Sequence, residues 1–482
     1  MRVDVDTGAI VGAEVAGVAR FLGIPFAAPA TGPLQFRRPQ QAQPWRGTVA
    51  ALEPAAAPPQ ERNVGVGVRG ATRIDTDCLY LNVFAPTAPG SRRPVFVWIF
   101  GGGFLHGDAA DPLFDGSQLA RREDLIVVTA NYRLGVWGFA PLIERNVGVA
   151  DQIAALQWIA RNIAAFGGDP DNVTLAGESA GAMSVCNLLA SPAARGLFHR
   201  AIAQSGAAGN VASREQADET ARVVREELGV EVDQADLGQL LTAQRATLHR
   251  LRPLHHSAPL RPHVDGELLP VHPLTGAAAA ADVPLIIGMN RDEYRLYIRS
   301  SLKLDDAALL AHLERRLHEH GAADTRARAV QLLQDYRARP PDARNPNAAL
   351  LADIETQLRF REPLLRYALA RARNTWVYQF DWPSPALRGW LGATHAMEVP
   401  FVFGNFELPP IAKFVGAGPE ATALSQQMMA LWAAFARQGR PPAAWPEFSA
   451  TERMQLHLNR DIHCRRMDDD AILRRWSEVL QR

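Results

Sequence analysis

The sequence predicts an α/β protein with a large, mixed but mostly parallel central sheet and helices on both of its faces. Short apolar runs alternate with stretches of helical periodicity along most of the 482 residues, which is the order that parallel sheets require. Residues 95–100 and 125–129 are almost continuously apolar, as expected of strands buried on both faces. A third run, at residues 173–176, leads through the glycine-flanked Ser179 into a helical segment. With 47% hydrophobic residues, the chain can bury a large core, and it could form one large α/β domain or two ordinary ones. Composition alone does not decide between them.

The N-terminal part of the chain begins with strand signals. Residues 3–26 alternate apolar and polar side chains and predict a β-meander at the edge of a sheet. Residues 27–73 are rich in Pro, Ala, Gln and Gly without periodicity, which predicts a long surface loop, with a disordered linker as the alternative. Residues 79–85 predict another strand, and residues 149–165 predict the helix that leads to the serine turn.

The C-terminal part continues the alternation around one long helical segment. Strands are predicted at residues 201–204, 284–287, 376–380 and 454–458, and helices at residues 213–241, at residues 424–437 and at the C-terminal end. Residues 305–373 are helical and charged in pattern, with a break at the Pro-Pro pair of residues 339–342. We expect residues 305–373 to form a helical insertion over the edge of the sheet.

Composition argues against several classes of partner. The 51 basic and 51 acidic residues balance, so no overall field attracts nucleic acid or an anionic membrane surface. The most apolar stretch, residues 94–104, is far shorter than a membrane span, and the N-terminus lacks the basic start and apolar core of a signal peptide. The three cysteines have no metal-ligand spacing. We expect a soluble, cytoplasmic protein without a bound metal, and the pattern carries no signal for an oligomeric state.

Ser179 is the candidate nucleophile. The sequence Gly-Glu-Ser-Ala-Gly at residues 177–181 lies between a predicted strand and a predicted helix, and its small residues permit the tight turn that exposes a serine hydroxyl. The five-residue pattern alone is weak evidence, because a chain of this length contains it by chance with a probability of roughly one in ten. Its position between strand and helix favours a nucleophile over a merely structural turn serine.

A serine hydroxyl needs a base to take its proton and an acid to orient that base. In this arrangement the acid and then the histidine follow the serine, on loops after later strands. Asp292 and Glu293 follow the strand at residues 284–287, and Asp381 follows the next strand, so spacing alone leaves three candidate acids. Among thirteen histidines, His395 lies in a loop-like GATHAME segment after a strand and is the candidate base.

The negative oxygen that develops during acyl transfer needs hydrogen-bond donors. The backbone N–H of Ala180 lies at a helix N-terminus, where unpaired N–H groups favour negative charge. Gly101, Gly102 and Gly103 directly follow the strand at residues 95–100 and allow the backbone to approach a substrate closely. The alternative is a phosphate-binding loop, but no GK[ST] or GxGxxG pattern surrounds these glycines.

Together these residues resemble the carboxylesterase and cholinesterase family of α/β-hydrolases, and especially its bacterial carboxylesterases. The resemblance spans nearly the whole chain and rests on ordered motifs: FLGIPFAAP at residues 21–29, DCLYLNVFAP at 77–86, WIFGGGF at 98–104, LAGESAGA at 175–182, GMNRDE at 288–293 and THAMEVPFVFG at 394–404. It implies the α/β-hydrolase fold as one domain over residues 1–482. It also implies a serine carboxylesterase that forms an acyl-enzyme without metal or organic cofactor. We expect small or medium apolar esters as substrates, because no apolar lid for long lipids is evident.

The resemblance also assigns roles to residues. It implies that Glu293 is the acid and that His395, which opens the H-x-x-E-[IV]-P segment, is the base. It implies an oxyanion hole formed by Gly102, Gly103 and Ala180, and it matches Glu178 and Ser205 to positions that support the triad. Aromatic candidates for the substrate pocket, with ordinary core packing as the alternative, are Phe104, Trp390, Phe401 and Phe403.

The chain departs from the family pattern at four positions. Phe100 stands where His or Tyr usually precedes the glycines, and Tyr294 stands where Gly usually follows the acid. Ala396 stands where Gly usually follows the histidine. Secreted members pair the cysteine of the DCLYLN motif with one upstream, which this chain lacks, so Cys78 should be a free thiol.

Two other functions share parts of this pattern. An amide or carbamate hydrolase would use the same triad and differ in the leaving group that must be protonated. A catalytically silent binding module is an alternative of another class, since relatives of this fold act as cell-surface partners. The presence of all three triad positions favours an enzyme.

Overall fold

Fourteen strands form two sheets within residues 1–61, 73–90, 92–251, 258–338 and 345–480, which are the parts of the chain that the computed structural model describes. The strands are β1 (Arg2–Val5), β2 (Gly8–Val11), β3 (Ala13–Val15), β4 (Val18–Pro25), β5 (Thr48–Ala50), β6 (Tyr80–Pro86), β7 (Arg93–Ile99), β8 (Ile126–Ala130), β9 (Gly168–Glu178), β10 (Arg200–Gln204), β11 (Leu285–Asn290), β12 (Thr375–Phe380), β13 (Met454–Leu458) and β14 (His463–Arg466).

The large sheet has eleven strands in the order β14-β13-β12-β11-β10-β9-β7-β8-β6-β4-β3. Its centre, from β13 to β8, is parallel throughout, and antiparallel strands complete both edges. Every residue of β8, β11 and β12 is buried. Because successive side chains of a strand point to opposite faces, both faces of this sheet are covered. The predicted parallel centre is therefore confirmed.

The N-terminal strands do not form one meander, so that prediction is wrong in part. β1 and β2 pair with β5 in a separate three-stranded sheet, whereas β3 and β4 join the edge of the large sheet. The predicted surface loop of residues 27–73 contributes β5, whose parallel pairing with β2 draws this part of the loop into the small sheet. Alternation of apolar and polar side chains predicts strands, but it does not say which neighbour each strand pairs with.

Fifteen α-helices accompany the strands in the described residues. They are α1 (Ser117–Glu123), α2 (Gly135–Phe139), α3 (Val147–Asn162), α4 (Ala180–Ala190), α5 (Arg214–Leu228), α6 (Leu237–Leu251), α7 (Pro273–Gly276), α8 (Asp306–Glu319), α9 (Thr325–Arg337), α10 (Pro346–Thr356), α11 (Glu362–Arg371), α12 (Val399–Phe403), α13 (Pro409–Val415), α14 (Pro419–Gln438) and α15 (Ala471–Leu480). A π-helical turn, Gln357–Arg361, joins α10 to α11.

The helical segments differ from the sequence prediction in one place. Residues 213–241 contain α5 and the start of α6 rather than one continuous helix, because Gly229 adopts the left-handed conformation that ends α5. Residues 305–373 contain α8, α9, α10 and α11. The break that the sequence predicts at residues 339–342 lies outside the described residues.

Three apolar clusters stabilise the described parts of the molecule, and the smallest consists of Ala348, Ala349, Trp390 and Leu391. The other two are larger. The largest surrounds the parallel strands and includes buried side chains from β4 to β13. The second largest, called the satellite cluster here, consists of buried side chains from α8, α9, α10, the π-helical turn and α15: Leu309, Leu313, Leu317, Ala329, Leu332, Leu333, Tyr336, Ile354, Leu358, Ile472, Trp476 and Val479. A hydrogen bond from Trp476 Nε1 to Tyr336 Oη (2.8 Å) ties α15 to α9 within it.

Candidate active site

Ser179 lies at a sharp turn between β9 and α4, at the carboxyl end of a central strand. Its backbone has φ 56° and ψ −122°, a conformation that L-residues rarely adopt. A hydrogen bond from its N–H to the Gln204 carbonyl (2.8 Å) holds the turn. Gly181 must be glycine, because a Cβ there would lie 2.0 Å from the Ile99 carbonyl oxygen. The turn has the strained geometry of a nucleophile elbow.

Hydrogen bonds connect His395 to both Ser179 and Glu293. Ser179 Oγ lies 2.8 Å from His395 Nε2, and His395 Nδ1 lies 2.6 Å from Glu293 Oε2. The other carboxylate oxygen of Glu293 accepts a hydrogen bond from the Asn290 N–H (2.7 Å). Glu293 is fully buried and His395 is nearly so. The histidine is thus oriented by an acid and directed at the serine, which is what activation of a hydroxyl requires.

The other two candidate acids have different contacts. Asp292 accepts a hydrogen bond from the Ala393 N–H (2.8 Å) and so holds the loop that carries His395. Asp381 lies 2.6 Å from His457 Nδ1, at the ends of β12 and β13. The geometry therefore distinguishes Glu293 from two neighbours that spacing left equivalent.

Buried carboxyl groups surround the imidazole. Glu178 Oε1 lies 3.1 Å from His395 Nε2, on the side of the ring that faces the serine. Burial opposes a charge on His395, but Glu178 and Glu293 outweigh it and raise the pKa of His395 to about 9. Burial also raises the pKa of Glu178 to about 8, although the nearby imidazole opposes this shift. Protons are therefore held in this cluster into the mildly alkaline range.

A third carboxyl group, Glu398, was not predicted from the sequence. It is fully buried and accepts a hydrogen bond from Asn290 Nδ2 (2.6 Å). Ser205 Oγ (3.4 Å) and Gln204 Nε2 (3.3 Å) also donate to it. Ser205 is thus linked to Glu293 through Glu398 and Asn290. Burial raises the pKa of Glu398. The available signal was its place in the THAMEVP motif, three residues after the histidine.

The candidate oxyanion donors lie at two adjoining backbone segments. Ala180 is the first residue of α4, so its N–H has no acceptor within the helix. Gly102 and Gly103 follow β7 with φ angles of 108° and 66° and are exposed. Across the described parts of the chain, no residue accepts a hydrogen bond from the N–H of Gly102 or Gly103. These amides are available to a bound oxygen.

Two aromatic rings contact His395, and the sequence predicted neither. The Phe360 ring centroid lies 5.2 Å from the imidazole centroid, and that of Tyr297 lies 5.8 Å away. Phe360 comes from the π-helical turn, and Tyr297 follows the loop that carries Glu293. Tyr297 is 53% exposed, which is unusual for a ring beside a buried histidine. These two aromatic rings border His395.

The four aromatic residues predicted for the pocket are buried and pack against other core groups. Phe104 packs edge-on against Phe139 (4.9 Å), and Trp390 Nε1 donates a hydrogen bond to the Ile298 carbonyl (3.1 Å). Phe401 stacks on Phe406 (5.7 Å), and Phe403 contacts Trp98 (5.0 Å). These contacts are those of core side chains, and a pocket role for the four residues stays a prediction.

The departures from the family pattern have local explanations. The Phe100 ring stacks on Tyr132 (4.6 Å), whose hydroxyl donates to the Phe100 carbonyl (2.9 Å), so packing holds the start of the glycine loop. Tyr294 donates its N–H to Thr356 Oγ1 (3.0 Å), and its ring lies under Arg359. Ala396 has φ 63°, where glycine is favoured, which explains the usual residue there. Cys78 is a free, buried thiol, as expected.

The described residues contain no helix that combines the length and the apolar composition of a membrane span. Within the same residues, no group of three or more His, Cys, Asp or Glu side chains is arranged to hold a metal ion.

The fold and this arrangement define the class of protein. A mostly parallel sheet that carries a serine at a strand-to-helix turn, with a histidine and a carboxylate on later loops, is the arrangement of an α/β-hydrolase. The sequence model of the Carboxylesterase family matches residues 1–474. The chain therefore belongs to the carboxylesterase family, and it is a serine hydrolase of carboxylic esters.

Individual relatives agree with this assignment. The chain is 36% identical to para-nitrobenzyl esterase of Bacillus subtilis, over 94% of each chain. It is 33% identical to phenmedipham hydrolase of Pseudarthrobacter oxydans, over 90% of each chain. A solved structure of a thermophilic PNB esterase superposes with a TM-score of 0.86 at 34% identity, covering 98% of this chain and 99% of the other.

Proposed function

We propose that Ser179, His395 and Glu293 form the catalytic triad of this carboxylesterase, and that the N–H groups of Gly102, Gly103 and Ala180 form its oxyanion hole. The observation that carries the proposal is the relay of two short contacts, 2.8 Å from Ser179 Oγ to His395 Nε2 and 2.6 Å from His395 Nδ1 to Glu293 Oε2. Both distances are hydrogen-bonding distances.

The proposed reaction is acyl transfer in two steps. His395 Nε2 takes the proton of Ser179 as Oγ attacks the ester carbonyl carbon, and the carbonyl oxygen becomes an oxyanion held by the three amides. Glu293 stabilises the imidazolium. When the tetrahedral intermediate collapses, the C–O bond to the alcohol breaks and His395 returns its proton to the departing alkoxide. Water then attacks the acyl-enzyme by the same route and releases the acid and free Ser179.

The rings beside His395 suggest which part of the substrate they contact. The leaving alkoxide receives its proton from His395 Nε2, so the alcohol part of the ester passes beside that ring. Phe360 and Tyr297 border the same imidazole. We propose that these rings contact the alcohol part of the substrate. We also propose that the substrates are apolar esters of small to medium acyl groups. Similarity to a relative named para-nitrobenzyl esterase supports benzyl esters as test substrates.

The remaining parts of the proposal concern setting and architecture. The helices between residues 305 and 373 supply Phe360, and we propose that they roof the site as an insertion within one catalytic domain. The free thiols of Cys78 and Cys186 are compatible with a reducing cytoplasm, which we propose as the location.

The test is substitution of the nucleophile. Ser179→Ala should lower kcat on p-nitrophenyl butyrate by roughly 10⁴- to 10⁶-fold while leaving the circular dichroism spectrum unchanged. Ser477→Ala, on α15, is the matched control and should keep wild-type turnover. An organophosphate should label one serine per chain, identified as Ser179 by peptide mass analysis. Turnover near wild type in Ser179→Ala, or labelling of another serine such as Ser205, would refute the assignment.

A further inference from the structure

The glycine loop, defined as residues 101–107, ends at a residue that one buried side chain holds from both sides. Gln60 Oε1 accepts a hydrogen bond from the Gly107 N–H (3.0 Å), and Gln60 Nε2 donates to the Gly107 carbonyl (2.7 Å). Gln60 is 5% exposed, and its Nε2 also donates to the Pro58 carbonyl (3.1 Å). One amide that bonds both polar groups of a residue fixes the position of that residue and both of its backbone angles.

Gly107 is connected to the proposed oxyanion donors through a single tight backbone turn. The Gly102 carbonyl accepts hydrogen bonds from the N–H groups of Leu105 and His106, each 3.1 Å long. The two ends of this turn are in contact, because a Cβ on Gly102 would lie 2.1 Å from the His106 carbonyl oxygen. A displacement of Gly107 is therefore passed through one closed turn to the peptides of Gly102 and Gly103.

The loop needs such a restraint because its backbone is strained. Phe104, in its middle, has φ 63° although it is not glycine, and such conformations persist only when the surroundings impose them. The start is held by Tyr132 through the Phe100 carbonyl, and the middle by a hydrogen bond from Gly135 N–H to the Phe104 carbonyl (2.7 Å). Gln60 holds the end.

Gln60 ends a segment, residues 51–60, that lies outside the strands and helices. No disulfide holds this segment, because the cysteines in the described residues are free thiols. Asn131 holds it by hydrogen bonds instead: Asn131 Nδ2 donates to the Ala56 carbonyl (3.1 Å), and Asn131 Oδ1 accepts from the Ala109 N–H (2.9 Å). Asn131 thus ties the segment to the residues that follow the loop, next to the Gln60 contact.

We propose that Gln60 is a positioning residue for the oxyanion hole, which rests on the proposed function. It does not touch the substrate. It holds Gly107 so that the N–H groups of Gly102 and Gly103 point to the place where the negative oxygen develops. Loss of the clamp should weaken binding of the transition state and leave binding of the ground-state ester almost unchanged.

The first test removes both hydrogen bonds with little change of shape. Gln60→Met should lower kcat by roughly 10- to 100-fold, because displacement of donors by about an ångström is costly at this step. KM should stay within about threefold, and affinity for a trifluoromethyl ketone, which forms a tetrahedral adduct with Ser179, should fall by the same factor as kcat/KM. Gln455→Met is the matched control: Gln455 is also buried but bonds His457 on β13, so its loss should leave these constants near wild type.

The second test restores the lost donor by pH in a single variant. Gln60→Glu keeps an acceptor for the Gly107 N–H, but when ionised it places a carboxylate against the Gly107 carbonyl. Protonation of the introduced carboxyl returns a donor. The ratio of kcat in Gln60→Glu to kcat in wild type should therefore rise as pH falls, whereas a merely structural role predicts a constant ratio.

The outcomes separate this inference from the triad assignment. An inactive wild-type protein, or labelling of another serine, would refute the triad. If the wild type is active, three results would overturn the role of Gln60. These are a folded Gln60→Met with unchanged kcat, a Gln60→Met in which only KM changes, and a Gln455→Met that loses as much kcat as Gln60→Met. If Gln60→Met does not fold, Gln60→Glu decides, and a pH-independent ratio there would overturn the proposal.

Discussion

Replacing Glu178 by Gln removes the negative charge that lies nearest the proposed catalytic nitrogen. Glu178 Oε1 is 3.1 Å from His395 Nε2, and both side chains are buried. An opposite charge at such a distance raises a pKa by about 1–3 units. Glutamine keeps the shape of the side chain. We therefore expect Glu178→Gln to lower the pKa of His395, from about 9 in the wild type, by about 1–2 units.

The sign of the effect follows from the role of the base. His395 accepts the serine proton only when it is neutral, so wild-type kcat/KM should rise as pH increases and level off above about 9. The Glu178 carboxyl, with a pKa of about 8, holds protons in the same range. Without its charge the imidazole is neutral at lower pH, and the rise should move to lower pH. The plateau should also fall, because Glu178 no longer stabilises the imidazolium of the transition state.

The assay is kcat/KM for p-nitrophenyl butyrate hydrolysis between pH 5 and 10, followed at a wavelength where the ionisation of the product does not change its absorbance. Asp381→Asn is the control, because it removes a buried carboxyl that pairs with His457 instead. The reasoning fails if the rise stays at its wild-type pH in Glu178→Gln or moves upward. It also fails if Asp381→Asn shifts the rise by the same amount.

Two further substitutions test the pocket and the core. Phe360→Ala should raise KM for benzyl acetate by roughly 10-fold relative to methyl acetate, since it removes the apolar contact that borders the leaving alcohol; equal changes for both esters would contradict this placement. Asp151→Ala should lower the free energy of unfolding by about 3–5 kcal/mol, because it leaves the buried guanidinium of Arg133 unpaired. Thermal unfolding measures the loss, and a melting temperature within about a degree of wild type would refute it.

The parallel centre of the sheet was predictable because burial on both faces leaves a plain sequence signal. β8 is a short, mainly apolar run whose residues are all buried, which is the pattern expected of a strand covered on both faces. The N-terminal strands were harder to place. Their alternating pattern reports one buried face, and a small sheet satisfies it as well as the edge of a large one.

Site residues that lie close together in the sequence were easier to predict than those that the fold brings together. Ser179 and Ala180 were predicted because an elbow needs small residues at fixed spacing around the nucleophile. The acid was not fixed by spacing, since Asp292 and Glu293 are adjacent and only the backbone rotation between them decides which one faces the histidine. Motifs shared with the family pattern supplied that choice, and the contact of Glu293 with His395 agrees with it.

Other residues were found only in three dimensions. Phe360 contacts His395 because a π-helical turn follows α10, and the sequence reads there as an uninterrupted helix. Gln60 lies in a segment without periodicity, 47 residues before Gly107, the residue that it holds. Contacts of this kind depend on chain path, which local patterns do not encode.

The satellite cluster packs separately from the core around the parallel strands. Leu358 packs in that cluster, and Phe360, two residues later, borders His395. On the proposed placement of Phe360 beside the substrate, substitutions among α8, α9 and α15 should displace this ring while the parallel strands and the turn at Ser179 keep their packing. In evolutionary terms, we expect the helices around Leu358 to be the part of this chain that can change substrate preference with little effect on the central sheet.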